Sequence, residues 1–505
     1  MIKILDAINR FVWGVPALIL ILAVGLLLSI RTKWVQFKFF PAAIRAFLAP
    51  VRRQEKSDGI SPFRALCTAL AATVGTGNLA GVAGAIAIGG PGSIFWMWIS
   101  AILGMATKFA EATLAVRYRA RDEKGEYVAG PMYMVKHGMG GRWQPLAGIY
   151  CFFGVVAAFG VGSATQVNAV LGGINSAVEA LGGQESTFVN LLIGIGLAII
   201  VLPVLFGGAK RIGAVASFLV PFASVFYLLL AFGVLLLRAP AIPGAFVAIF
   251  KGAFSPGAVT GGILGSAFQA LRIGTSRGVF TNEAGMGTAA MAHGAAQVSH
   301  PVQQGLMGII EVFLDTIVIC TMTALAILCS GISIPYGQDL EIAITAEAFS
   351  YVYGSWVNIP LALALCCFAI ATIFGWGLYG ARCAQFLFGM RIWKCFALVQ
   401  GVSVVLGACL STATVWSLSE TANGLMAIPN LVILFYLSPE LIRLVKEYKN
   451  NARKTAHGGT HENLGEFESL QALAHSEIPS FCCAGKKRGE KGLPLEYWSA
   501  GSSNS

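Results

Sequence analysis

Residues 72–81 read Ala-Thr-Val-Gly-Thr-Gly-Asn-Leu-Ala-Gly, in the middle of a run without Asp, Glu, Lys or Arg that extends from Arg64 to Lys108. A helix needs about 20 apolar residues to cross hydrocarbon, so the run holds two spans. Its first span is poor helix at the centre: Gly75 and Gly77 flank a threonine and precede Asn78, and each glycine costs roughly 1 kcal/mol relative to alanine. Backbone groups freed in lipid are tolerated only where they line a cavity or meet a ligand. The spacing thus predicts two half-helices over residues 62–89 with an unwound joint. Free N–H groups of the second half suit an anion, and terminal carbonyls of the first half suit a cation. A small-residue packing face, Gly77 to Gly81, is the competing reading.

The rest of the chain agrees with a membrane setting. Of 505 residues, 56% are apolar and 12% charged, with a mean hydropathy of +0.72, whereas soluble domains carry about 25% charged residues. Long unbroken apolar runs exclude a strand barrel, whose signature is roughly ten-residue alternating segments. The expectation is an all-α polytopic membrane protein with about 11 transmembrane helices, over residues 11–30, 62–89, 93–118, 146–171, 187–206, 212–237, 258–277, 305–330, 357–388, 395–410 and 414–436. Residues 238–257 are too short and broken to span and read as an interfacial helix. The basic stretch 31–56 is cytoplasmic by the positive-inside rule, which puts the N-terminus outside and the C-terminus inside. Three parts follow: an extra N-terminal helix with its basic segment (1–60), a ten-helix core (61–438) and a polar, disordered tail (439–505).

Composition also removes function classes. The net charge of +11 belongs to cytoplasmic loops rather than to a nucleic-acid surface. All six histidines fall in predicted loops or tail, which removes haem ligation. The only Gly-Lys pair, Gly485-Lys486, is followed by Lys487, so no P-loop exists. No catalytic constellation is visible in the spans, and the chain does not read as an enzyme. A channel remains as a rival, since broken Gly-rich helices also build filters, but no repeated pore loop occurs.

A second Gly-rich interruption, Thr-Gly-Gly-Ile-Leu-Gly-Ser-Ala over residues 260–267, stands five spans after the first. Setting the N-terminal span aside, these are the first and sixth core helices, the pattern of inverted repeats around a midplane site. The stretch GTGNLAGVAGAIAIGGPGSIFWMWISAILGMATKFAEATLAVRY (residues 75–118) and the later RGVFTNEAGMGTAAMAHGAA resemble the alanine or glycine:cation symporter family. The similarity covers roughly residues 10 to 450. It implies a LeuT-like core of inverted five-helix repeats with discontinuous first and sixth helices. It also implies sodium as the co-transported ion, alanine or glycine as substrate, a bacterial inner-membrane location, and a compact pocket bordered by Trp376 and Phe159.

A zwitterionic substrate brings both charges, so the site must match each without a net buried charge of its own. Thr76, Gly77 and Asn78 are the expected carboxylate site, and carbonyls around Gly261, Gly262 and Gly265 the expected ammonium site. Carbonyls of Ala72 and Val74 with the Thr372 hydroxyl are expected to hold sodium; Thr372 and Trp376, four apart, share a helix face. The Thr372 hydroxyl bonding back to its own helix is the alternative. Gln166 and Asn168 line the pocket or make interhelical hydrogen bonds. Lys108 and Glu111 are expected to pair with each other, Asp315 with a basic residue from a neighbouring loop, and Glu283 to act as a cap or hinge. Asp315 also keeps a proton-coupled amino-acid symporter open. The polar run 281–304 is expected to be cytoplasmic.

Overall fold

Helices account for nearly all of the computed structural model, which describes residues 14–456 apart from 50–59, 124, 181, 256, 258, 261–265, 339–340 and 410–411. The chain divides into a unit of residues 1–448 and a second of 449–505. Helix α1, Val15–Arg31, precedes the first broken span, which consists of α2, Pro62–Thr73, and α3, Ala80–Gly89. Between them a short 3-10 turn, Thr76–Asn78, follows the unwound residues, and the two parts bend by 59°. Then come α4, Ser93–Arg117, α5, Gln144–Phe159, and α6, Thr165–Ala180, the last two joined through a π-helical turn, Gly160–Ala164. Helices α7, Thr187–Phe206, α8, Gly208–Leu237, and α9, Ile242–Phe254, follow. The second half contains α10, Ala267–Asn282, α11, Ala289–His293, α12, Pro301–Val312, and α13, Thr321–Ser330, with π-helical Phe313–Cys320 joining the last two. Helices α14, Glu341–Tyr353, α15, Asn358–Phe388, α16, Trp393–Gly407, and α17, Thr412–Ala456, complete it.

Among the described residues, eight helices are long and apolar enough to cross a membrane, and up to nine if the bent pair is one span. Of the other expected spans, residues 11–30 overlap α1, 17 residues long, and residues 258–277 overlap the first part of α10. Burial separates inner from outer helices: α4 is 83% buried over its most apolar window, α7 only 33%. Exposed side chains on the outer helices are large and apolar, with Ile199, Phe218 and Leu229 each more than 60% exposed. That is the surface a lipid-facing helix requires.

Three sequence readings change. Residues 341–353, between the spans expected at 305–330 and 357–388, form a further helix, and α17 runs on to Ala456, past the start of the expected tail at 439. The polar run 281–304 is not a solvated loop: Thr281, Asn282, Glu283, Thr288 and His293 are all at most 2% exposed. Its polar groups are held by residues of α4 and α12, as described below.

The two broken spans lie side by side and antiparallel. Ile60, just before α2, pairs with Ala296, just after α11. A Cβ on Gly77 would touch Thr281 at 3.4 Å, and one on Gly89 would meet Ile273 at 3.0 Å. Residues 75–78 therefore sit level with the end of α10. A second break in the described chain is residues 283–288, between α10 and α11. Its backbone shows the reason: Glu283, Gly285 and Gly287 all have positive φ (53°, 97° and 76°), a conformation that glycine adopts without cost and that ends a helix. The interruption expected at residues 260–267, with Gly261, Gly262 and Gly265, lies for the most part outside the described residues.

Candidate substrate and cation site

At the first break, helix α2 ends with the Val74 N–H on the Leu70 carbonyl at 2.7 Å, and the Gly75 N–H turns instead to Asn78 Oδ1 at 2.8 Å. Carbonyls from Ala71 onward thus point past the helix end, and the leading N–H groups of the Thr76–Asn78 turn have no intrahelical partner. Ala72, Val74, Thr76 and Asn78 are all buried. An interior with free backbone groups of both kinds is what an ion or zwitterion needs.

Two helices close around this segment. On α15 the Thr372 hydroxyl faces Gly75: a Cβ there would stand 2.6 Å from Thr372 Oγ1. That hydroxyl also donates to the Phe368 carbonyl at 3.0 Å, the back-bonding expected as the alternative. Gly375, one turn on, is needed for close approach, because a Cβ on it would press on the Ala72 backbone at 2.7 Å. On α6, Gln166 Oε1 accepts from the Thr76 hydroxyl at 3.2 Å while its amide donates to the Val161 carbonyl at 3.0 Å. The π-helical turn leaves carbonyls without their usual partners, and Gln166 takes one of them. Asn168 points elsewhere, bonding to Gly407 of α16 at 2.5 Å.

Trp376 is fully buried, with its Cβ against Gly162 in the π-helical turn and its ring edge-on to Tyr379 at 5.9 Å. Among the described residues its indole nitrogen has no hydrogen-bond partner. Phe159 stacks on Phe396 at 5.2 Å, toward α16. The structure thus brings Ala72, Val74, Thr76, Gly77, Gln166, Thr372 and Trp376 around one break, with Asn78 beneath it and Phe159 to one side.

Below the break lies a buried polar network, parts of which differ from expectation. Lys108 Nζ is 3.1 Å from Glu311 Oε1, not paired with Glu111. Glu311 also meets His293 Nε2 at 2.7 Å, and Gln304 meets the other ring nitrogen at 2.6 Å. Glu111 instead accepts from the Gly285 and Gly287 N–H groups, both at 3.0 Å, and from Asn430 at 2.7 Å. Its carboxylate is therefore the anchor of the second break. Glu283 ends α10 in the left-handed region, the expected cap, and its side chain accepts from Thr288 at 2.6 Å. Among the described residues Asp315 pairs with no loop cation; it accepts from Asn78 and from Thr316, both at 2.7 Å. Local sequence carries no sign of Glu111 in this role, since its partners lie 174 to 319 residues away.

Antiparallel broken helices that meet at one buried level, flanked by a π-turned helix and a long helix bearing Thr372, define a secondary transporter of the LeuT-like fold. A solved structure of MhsT in complex with L-phenylalanine is similar with a TM-score of 0.51 at 16% identity, covering 76% of this chain and 90% of that one. The chain belongs to the sodium:alanine symporter family, whose model matches residues 1–462. It is 39% identical to the sodium/alanine symporter AgcS of Methanococcus maripaludis, over 90% of this chain and 98% of that one. An uncharacterized transporter of Haemophilus influenzae is 41% identical over 88% and 96%, and the probable sodium/glutamine symporter GlnT of Bacillus subtilis 35% over 87% and 89%. The protein is thus a multi-pass membrane transporter and not an enzyme.

Proposed function

We propose that this transporter imports alanine and glycine together with sodium across the bacterial inner membrane by alternating access, with its N-terminus outside and its C-terminus in the cytoplasm. The observation that carries this reading is the first break itself, where Gly75 exposes backbone against the Thr372 hydroxyl while the Asp315 carboxylate is taken up by Asn78 and Thr316. Neutral backbone and hydroxyl oxygens suit a monovalent cation. Carbonyls of Ala72 and Val74 with Thr372 Oγ1 hold that ion. The substrate carboxylate takes the N–H groups that open the Thr76–Asn78 turn, at the positive end of α3, with the Thr76 hydroxyl and Gln166 beside them. Because both ends of the Asn78 amide are engaged, Asn78 serves by holding this backbone.

The ammonium faces the carbonyl end of α10, next to Gly77, where the helix dipole is negative; carbonyls of Gly261, Gly262 and Gly265 are a second source of acceptors. Trp376, backed by Gly162, limits the side chain to a methyl or two, with Phe159 behind as the next bulky group. The relative named for glutamine is in line with a pocket whose size is set by a few side chains.

The test is competition. Glycine should displace labelled alanine during saturable uptake with counterflow, and alaninamide, which lacks the negative charge, should not. Effective competition by the amide would move the carboxylate away from the first break, and non-saturating flux without counterflow would indicate a channel.

A further inference from the structure

The two breaks are joined by an unbroken chain of buried hydrogen bonds that runs through two adjacent residues of the π-helical segment. From the first break, the Gly75 N–H donates to Asn78 Oδ1 at 2.8 Å, and Asn78 Nδ2 donates to Asp315 Oδ1 at 2.7 Å. From the second, the Ala284 N–H donates to Asn282 Oδ1 at 2.9 Å, and Asn282 Nδ2 donates to Thr316 Oγ1 at 3.1 Å. The Thr316 hydroxyl then donates to Asp315 Oδ2 at 2.7 Å, closing the chain. Each asparagine uses its carbonyl oxygen to receive a backbone N–H at a break and its amide to pass the link inward. Every donor points toward one carboxylate, which acts as the common acceptor.

This arrangement is more than packing. Asp315 and Thr316 are fully buried, and among the described residues no ion pair involves Asp315. Lys108, the buried cation near it, is committed to Glu311, while Glu283 at the second break and the Cys320 thiol, 3.2 Å from Asn78 Nδ2, complete its titratable surroundings. A lone buried carboxylate is costly unless its hydrogen bonds are all made, so Asp315 holds both asparagines firmly. Neither break can shift without breaking a buried hydrogen bond of this chain or moving the other.

We propose that Asp315 and Thr316 form the coupling element of transport, a positioning pair that makes the two broken helices rearrange together. The pair touches neither the proposed substrate position nor the proposed cation position; it acts through Asn78 and Asn282. This rests on the transporter fold, and only its uptake readout rests on the amino-acid reading.

The test is a swap in the full-length protein reconstituted in proteoliposomes. Asn78→Asp alone sets two carboxylates face to face and should lower alanine uptake at least about tenfold. Adding Asp315→Asn reverses the central bond: the amide introduced at position 315 donates to the carboxylate introduced at position 78, while its oxygen still accepts from Thr316. This double variant should restore uptake to within about threefold of wild type. Thr316→Val cuts the chain on the other side of Asp315. Normalised to labelled-alanine binding sites, its turnover should fall about tenfold while the KM for alanine stays within about twofold. A merely structural role would reduce the number of sites and leave turnover per site unchanged. Failure of the swap to recover, or unchanged turnover per site in Thr316→Val, overturns the proposal. If wild type takes up no alanine, the amino-acid reading fails. The swap is then decided by thermal unfolding in detergent, where Asn78→Asp should lower Tm and the double variant recover it; no recovery overturns the link.

Discussion

Replacing Gly75 by alanine places a methyl group between the first break and Thr372. The backbone itself accepts the change, since its φ of −156° is open to any residue. The contact does not: the new Cβ would lie 2.6 Å from Thr372 Oγ1, so the two must separate by about 0.8 Å to reach ordinary van der Waals distance. Neither side yields easily. Thr372 is β-branched and stiff at χ1, and its hydroxyl is tied to Phe368. Its helix is seated on Ala72 through Gly375. Overpacking of this kind costs about 1–3 kcal/mol. Where that strain falls on the cation-bound form, it raises half-saturating sodium about 5- to 150-fold.

The assay is sodium activation of labelled alanine uptake in proteoliposomes. Thr372→Ala alone should also weaken sodium dependence, because an oxygen is lost. The double variant Gly75→Ala/Thr372→Ala separates the two effects: its melting temperature should recover as the clash is relieved, while its sodium dependence stays weak. Gly75→Ala protein with wild-type sodium dependence would refute the placement of the cation beside Gly75.

Three further outcomes are expected. Trp376→Leu should admit valine and leucine as competitors and weaken alanine binding, at about 1–3 kcal/mol per methylene-sized change; an unchanged substrate range in folded protein would make Trp376 a packing residue. Lys108→Met strands the buried Glu311 carboxylate with His293 alone and should cost about 3–5 kcal/mol in thermal unfolding, whereas Lys108→Met/Glu311→Met should recover much of the loss; equal damage in both would show that the pair is not the unit. Burial, with repulsion from Arg443, pushes the His300 imidazole down to about 4, so the folded protein holds it neutral. The unfolded chain binds the proton more readily, so stability that is full above about pH 6.5 should be lost as pH falls from 6.5 toward 4. His300→Asn, which preserves a cap on the Val302 N–H, should flatten that decline.

The first break was legible because its signal is local: Gly75, Gly77 and Asn78 interrupt an otherwise uninterrupted apolar run, and lipid penalises such residues unless they have work to do. Helix boundaries were legible for the same reason, as with α7, Thr187–Phe206, which matches the expected span. The break at residues 283–288 was not. Residues 281–304 carry Glu283, His293 and His300 and read as a solvated loop, because nothing nearby reveals that Glu111 and Glu311 await them inside the bundle. Asp315 was recognisable as a residue too costly to be idle, yet its partner Asn78 lies 237 residues away. Pairings of this length depend on the antiparallel placement of the two broken spans, which hydropathy does not encode.

Sodium-coupled amino-acid import is tested by labelled alanine uptake into proteoliposomes under one imposed gradient at a time. An inward sodium gradient should drive alanine above its external concentration. A proton gradient in choline medium should leave it at equilibrium. Equal accumulation in choline with the proton gradient alone would contradict the account.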